Sequence, residues 1–237
     1  MWLINKKQSW RETSGFLHGF IDWHSHILPG VDDGVQTKEE ALEILAKYDE
    51  LGIKEVWLTP HIMEDIPNAT QHLKERFIEL QAAYKGNVIL HLASENMIDS
   101  LFGERLENND LLPIGESGSY LLVETSYFNP PMGLYDIIQR IKAKGFFPIL
   151  AHPERYVYMG KKEYMHLKTS GVKFQLNLPS LIGMYGETVK KKAKQLLTHG
   201  YYDCVGTDLH RRSFLDEILQ RNIHKIIVPL NKMIAEL

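Results

Sequence analysis

Short apolar runs and amphipathic helical stretches alternate about seven times along this chain, and that rhythm constrains its fold more than any other feature. The apolar runs are FLHGFIDWH (16–24), KEVWLTPH (54–61), NVILHLASE (87–95), SYLLVETS (119–126), FFPILAHPE (146–154), VKFQLNLPS (172–180) and YYDCVGTDLH (201–210). Several are apolar almost throughout, as strands are when both faces are covered. The helical stretches between them carry their own signals. TKEEALEILAKYDELG (37–52) opens with a capping box, Thr37 to Glu40, and closes on Gly52. NATQHLKERFIELQAAYKG (68–86) also ends on glycine, and in PMGLYDIIQRIKAKG (131–145) Pro131 suits a first helical turn. KKEYMHLKTSG (161–171) and GETVKKKAKQLLTHG (186–200) complete the series, and the basic run within the latter reads as a solvated face.

Strand–helix alternation dictates parallel strands with helices outside. The predicted fold is therefore α/β, an irregular TIM-like β/α barrel of about seven parallel strands. No linker, low-complexity tract or repeat divides the 237 residues. The expected organisation is an N-terminal extension over 1–18, whose Trp2 and Trp10 could dock on the barrel or on a partner, and one domain over 19–237. Residues 96–118 read as an irregular connection with short turns, and the chain after the last strand as mostly helical.

Each strand but the sixth ends in a residue able to bind a metal ion. His24 and His26 end the first, with Asp33 in the turn beyond; His61 ends the second, Glu95 the third, Glu124 the fourth and His152 the fifth. Asp208 and His210 end the seventh. In a parallel barrel these ends converge on one mouth. Five of the eleven histidines and four carboxylates would meet there. Each alone has an ordinary reading as a loop acid or a hydrogen-bonded core histidine, but repeated placement at one end of successive strands does not. Imidazole and carboxylate donors without thiolate suit manganese, iron or zinc. Nine donors exceed the needs of one ion, and a shared carboxylate is the economical bridge between two.

Other classes are excluded or weakened. The net charge of −3 gives no bulk electrostatic case for nucleic acid or an anionic membrane, and no apolar run reaches membrane-spanning length. The N-terminal stretch lacks the apolar core of a secretion signal, so a cytoplasmic protein is expected. Cys204 is the only cysteine, which leaves no disulfide framework. A cysteine phosphatase places an arginine at a fixed distance after its nucleophile. At that distance from Cys204 stands His210, and Arg211 comes one residue too late. Cys204 reads as a buried core residue.

With these residues in hand, the sequence resembles the polymerase-and-histidinol-phosphatase (PHP) family of metal-dependent phosphoesterases, and within it the capsule-type bacterial protein-tyrosine phosphatases. The resemblance runs from about Phe20 to about Arg212 through DWHSHILPGVDDG, TPH, SE, VETS, AHPERY, LN and TDLH, in family order. The H-x-H start is weakly specific, whereas HSHILPGVDDG together with AHPERY is much more so. Two departures are the N-terminal extension and a serine before Glu95. The resemblance implies a cluster of three ions, manganese first, with iron or zinc as alternatives. His24, His26, Glu95 and Asp208 would hold one; Glu95, Glu124 and His152 a second; Asp33, His61 and His210 the third. Arg155 would bind the substrate phosphate, with Arg211 or Arg212 as a second arginine.

It also implies hydrolysis by metal-activated water, in line, of the phosphotyrosine of a membrane-bound capsule or exopolysaccharide tyrosine kinase. A phenolate leaving group, with a free pKa of about 10, needs little protonation. A mouth lined by Tyr127, Phe128 and Tyr156 would admit such a residue. The alternatives are histidinol phosphate or another small monoester, a nuclease role disfavoured by the charge, and a non-catalytic metal-dependent scaffold. The oligomeric state is not legible.

Overall fold

The computed structural model describes residues 17–221. Trp2, Trp10 and the expected terminal helical segment beyond residue 221 lie outside the described residues. Within them the strands are β1 (Ile21–Ser25), β2 (Glu55–Leu58), β3 (His61–Ile62), β4 (Ile89–Leu92), β5 (Glu95–Met97), β6 (Tyr120–Glu124), β7 (Phe147–Ala151), β8 (Lys173–Asn177) and β9 (Cys204–Gly206). The helices are α1 (Lys38–Glu50), α2 (Thr70–Ala83), α3 (Phe102–Asn108), α4 (Leu134–Ala143), α5 (Lys161–Thr169), α6 (Leu178–Leu181), α7 (Glu187–Thr198) and α8 (Arg212–Gln220), with a 3₁₀ turn at Pro153–Arg155.

All strand pairing is parallel, in two ladders ordered β1-β2-β4 and β3-β5-β6-β7-β8-β9. The parallel sheet curls into a half-barrel with helices outside. Two expected strands are each divided: KEVWLTPH into β2 and β3 at Thr59–Pro60, and NVILHLASE into β4 and β5 at Ala93–Ser94. Pro60 has no N–H to give to a ladder, and its carbonyl instead accepts the Glu95 N–H at 3.1 Å. Both chains thereby pass from one ladder to the other just where His61 and Glu95 stand. The segment after β9 returns to β1: Asp208 N–H bonds His24 O at 2.7 Å and His26 N–H bonds Leu209 O at 2.9 Å.

Strand alternation sorts the core into two layers. Val56, Leu58, Leu121, Val123, Leu150, Phe174, Leu176 and Val205 pack in the large cluster that also holds the helices' apolar residues. Trp23, Trp57, Ala93, Leu122, Ile149, Ala151 and Cys204 form a smaller cluster on the opposite face of the strands, with Trp23 and Trp57 stacked at 5.7 Å. Cys204 is buried there as expected, and burial pushes its thiol pKa well up.

Local signals mostly hold at helix starts and fail at details. The Thr37 hydroxyl accepts the Glu40 N–H at 3.2 Å. Glu40 does not close the expected box; its carboxylate accepts the Arg212 N–H and so caps the first turn of α8. The stretch 96–118 contains α3, where irregular turns were expected. The basic run lies on α7 as expected, except that Lys192 turns inward to the carbonyls of Tyr156 and Met159.

Candidate metal centre

A bulge in β1 aims the first two histidines. Between Asp22 and Ser25 the strand advances three residues while β2 advances two. Strict alternation would send His24 to the helix side with Asp22, which accepts the Tyr48 hydroxyl of α1 at 2.8 Å. The extra residue redirects it toward Glu95 and Gln175. Two further positions use left-handed backbone without glycine: His152 at φ 35° and Asp208 at φ 53°. Such strained non-glycine conformations cluster where a side chain must be aimed.

Glu95 is the hub. Its Oε2 lies 3.0 Å from His24 Nε2, 3.3 Å from His26 Nε2 and 3.2 Å from His61 Nδ1, and its Oε1 lies 3.0 Å from His152 Nε2. Asp208 Oδ1 faces His24 and His26 at 3.5 and 3.3 Å, and His210 Nδ1 at 3.6 Å. Glu124 approaches His61 at 3.1 Å and His152 at 3.9 Å. Asp33 approaches His61 and His210 at 3.5 and 3.6 Å. All nine residues expected at the strand ends are thus brought together.

Neighbours fix the imidazole tautomers. Gln175 Oε1 accepts both His24 Nδ1–H at 3.0 Å and the His152 backbone N–H at 3.2 Å, while its amide nitrogen donates to Leu176 O. Asp32 Oδ2 accepts His26 Nδ1–H at 2.8 Å, and Asp208 O accepts His210 Nδ1–H at 2.8 Å. Each ring is left with an Nε2 lone pair facing the cluster, the arrangement outer partners impose on metal-binding histidines. With both rings neutral, as metal binding requires, the Nε2 atoms of His24 and His26 meet at 3.1 Å with no proton between them. His61 Nδ1, Glu124 Oε1 and His152 Nδ1 are buried without a hydrogen bond. Converging lone pairs and orphaned buried donors fit bound cations.

Three overlapping groups have donor atoms within 4.8 Å of one another: His24, His26, Glu95 and Asp208; His26, Asp33, His61 and His210; and His61, Glu95 and Glu124. The first coincides with the expected set. The others differ by drawing in His26 and by taking His61 in place of His152.

The carboxylates oppose burial electrostatically. Burial alone would lower the His24 pKa, but Glu95 and Asp208 outweigh it and raise it to about 9. Burial would raise the Glu95 carboxyl, yet His24 and His61 hold it well below the usual range. His210, 3.6 Å away, draws the Asp33 carboxyl down to about 2.

Arg155 sits at the edge of the cluster, 18% exposed, with Nη1 donating to Asp208 Oδ2 at 2.8 Å. Its guanidinium is stacked between the rings of Tyr127 and Tyr185, 4.4 and 4.3 Å from their centroids. Asp208 Oδ2 also accepts Asn177 Nδ2–H at 2.9 Å. Beside these lies a pocket of about 360 Å³ whose lining includes Arg155, Arg211 and the rings of Tyr127, Tyr185 and Phe214. Of the two candidate second arginines, Arg211 reaches the pocket. Arg212 does not; its guanidinium pairs with Asp216 on α8 at 3.5 Å. The expected mouth needs correction. Tyr127 lines it, but Phe128 is 71% exposed outside the lining, and Tyr156 is fully buried with its hydroxyl donating to Ala151 O.

A curled parallel sheet with imidazoles and carboxylates gathered at its strand ends defines a PHP-type metal-dependent phosphoesterase scaffold. The chain matches the family described as capsular polysaccharide synthesis, CpsB/CapC, over residues 20–228, and it belongs to that family. Among curated relatives, it is 27% identical over 217 residues to tyrosine-protein phosphatase YwqE of Bacillus subtilis, covering 86% of this chain and 80% of that one. It is 26% identical over 203 residues to tyrosine-protein phosphatase CpsB of Streptococcus pneumoniae, covering 80% and 82%. Among solved structures it superposes with a TM-score of 0.72 and 23% identity on one described as YwqE from Bacillus subtilis and CpsB from Streptococcus pneumoniae, unique metal-dependent tyrosine phosphatases. That match covers 91% of this chain and 87% of the other, and it speaks for the fold. No helix among the described residues is long and apolar enough to cross a membrane.

Proposed function

We propose that this protein is a metal-dependent protein-tyrosine phosphatase. The observation that carries the reading is the joining of two features in one pocket: a nine-residue donor cluster centred on Glu95, and an arginine held between aromatic walls. The fold reading that accompanies it is a single irregular TIM-like barrel of about seven strands over 19–237, counting β2 with β3 and β4 with β5.

His24, His26, Asp33, His61, Glu95, Glu124, His152, Asp208 and His210 would hold the ions, three in number, with manganese preferred over iron or zinc. Bound ions supply a water of lowered pKa and neutralise phosphoryl oxygens. Arg155 keeps one nitrogen on Asp208 and offers its remaining N–H groups to the phosphate, its plane set by Tyr127 and Tyr185. Arg211 adds a second positive charge at the mouth. Tyr127, Tyr185 and Phe214 present ring surfaces that suit an aryl ester better than a small polar alkyl phosphate. Burial, reinforced by Glu124, raises the Tyr127 pKa, so its phenol stays neutral beside the phosphate. The substrate is then a phosphotyrosyl protein met in the cytoplasm, and the family relation points to a membrane-bound tyrosine kinase of capsule or exopolysaccharide synthesis.

The test is turnover of a phosphotyrosine peptide against histidinol phosphate, after chelation and after return of manganese. The expected result is loss and recovery of peptide turnover, with much weaker hydrolysis of histidinol phosphate. Preference for histidinol phosphate would transfer the site to small monoesters, and binding of metal without turnover of either would leave a scaffold.

A further inference from the structure

The large apolar side chains exposed among the described residues are unevenly placed. Of eight, five are Phe128, Met132, Tyr135, Val157 and Met165. They belong to two strand-end connections and the helices that follow. The connection after β6 and the one after β7 are tied together by the Val157 N–H bond to Tyr127 O at 2.8 Å and the Thr125–Tyr158 hydroxyl contact at 2.6 Å. Tyr135 stacks on His166 at 4.1 Å, which joins the exposed faces of α4 and α5. A groove of about 520 Å³ runs there, lined by Pro130, Pro131, Leu134, Tyr135, Tyr158 and Met159.

This surface adjoins the pocket through Tyr127, whose carbonyl accepts the Val157 N–H. Tyr127 lines the pocket and stacks on Arg155, while its neighbour Phe128 stands outside it. Met132 is 95% exposed and Val157 62%. An apolar patch of this kind beside a polar site marks recognition of a partner. The side chain of phosphotyrosine is one ring deep. With its phosphate at Arg155, its peptide backbone must cross the rim, and the neighbouring side chains then fall on whatever borders Tyr127.

We infer that the rim of Phe128, Met132 and Val157, with the groove behind it, reads apolar residues flanking the phosphotyrosine of a protein substrate. This rests on the phosphotyrosyl-protein reading of the pocket. Pro130 and Pro131 stiffen the loop, so presenting its apolar side chains costs little ordering entropy. Asp136 and Glu163 are the acidic groups lining the groove, and they repel an acidic flank. The rim therefore discriminates between peptides by both apolar contact and charge.

The test compares kcat/KM on two phosphotyrosine peptides that differ only in their flanks, one leucine- and phenylalanine-rich and the other aspartate- and glutamate-rich. Para-nitrophenyl phosphate, which has no flanks, is the third substrate. Manganese-loaded wild type is set against the double variant Phe128→Ser, Met132→Ser. Wild type should favour the apolar peptide by roughly tenfold. The double variant should lose most of that preference, chiefly through KM, and hydrolyse para-nitrophenyl phosphate normally. Equal use of both peptides by wild type, or an unchanged preference in the variant, would overturn the inference while aryl phosphate turnover leaves the enzyme reading standing. A wild-type dimer dissolved by the double variant, with no peptide preference, would overturn it in favour of a second copy. Absence of turnover on all three substrates would remove the enzyme reading and the inference with it.

Discussion

Replacing Arg155 by lysine separates the arginine's geometry from its charge. In the structure the guanidinium does two things at once: Nη1 donates to Asp208 Oδ2 at 2.8 Å, and the plane is clamped between Tyr127 and Tyr185. Lysine retains a cation for Asp208, so no buried carboxylate is left unpaired, but it has a single nitrogen. If that nitrogen stays on Asp208, its other N–H groups radiate from one atom and cannot form the planar two-nitrogen fork on the phosphate; if it turns to the phosphate, Asp208 keeps only the Asn177 amide. Either way one charge-assisted hydrogen bond disappears, worth about 1.5–3 kcal/mol. At about 1.4 kcal/mol per factor of ten, kcat/KM should fall roughly 10- to 150-fold. The fold loses only the stacking on two aromatic faces, about 1 kcal/mol or somewhat more in a partly buried site. The assay is kcat/KM on a phosphotyrosine peptide, with metal content and Tm measured on the same preparation. Turnover within twofold of wild type, at full metal content, would refute the assignment of Arg155 to the phosphate. A collapse of metal content would refute the claim that it acts on the substrate and not on Asp208.

Two further outcomes follow from the same site. Without metal, His24 has its pKa raised to about 9, so its contribution to stability is complete below its ordinary value of 6.5 and is lost as pH rises through 9. Metal binding needs the neutral imidazole, so the rise in Tm on adding manganese should grow between pH 6.5 and 9; thermal scans with and without metal check this, and a constant increment would contradict it. Cys204→Ala should keep activity, because the thiol is buried in the small interior cluster, far from ionising; it should cost about 1–2 kcal/mol in a denaturant titration, and an inactive but folded, metal-loaded variant would overturn the metal-dependent reading.

The donor residues were legible because strand–helix alternation forces the strand ends to one mouth, whatever the details of each strand. His61 and Glu95 still meet there although their strands break just before them, since the breaks keep the chain direction. What sequence left hidden is the layer that aims those donors. The sixth strand carries no metal ligand, yet its Gln175 sets the His24 tautomer and its Asn177 holds Asp208. Amides have no ligand signature, so only their alternation along VKFQLN, at positions that would face inward, could have marked them. Asp32 was overshadowed by Asp33: adjacent carboxylates in one turn point apart, one to the His26 Nδ1 side and one to the cluster. Tyr185 and Phe214 reach the pocket from segments beyond the strand ends, where periodicity says nothing about direction.

One further signal was present, and it yields the sharpest steric prediction. Gly206 lies inside VGTD, and a glycine within a strand marks the close approach of another backbone. Here the approaching strand is β1. A Cβ on Gly206 would collide with His24 Cβ, and it would stand 2.8 Å from His24 N and 2.9 Å from Gln175 Nε2. The first two contacts are with the root of the side chain and the backbone, so no rotamer of His24 relieves them. β1 and β9 must part, although the bonds His26 N–H to Leu209 O and Asp208 N–H to His24 O hold the chain just beyond Gly206 against β1. Gly206→Ala should therefore destabilise by about 1–3 kcal/mol, as overpacking does. It should also cost metal, because His24 cannot move away from Gly206 and keep both Glu95 and Gln175. Metal content by elemental analysis and a denaturant titration together decide the matter. A variant with wild-type metal content and stability would show that the two strands have room to spare, and that the placement of His24 does not depend on the missing methyl group.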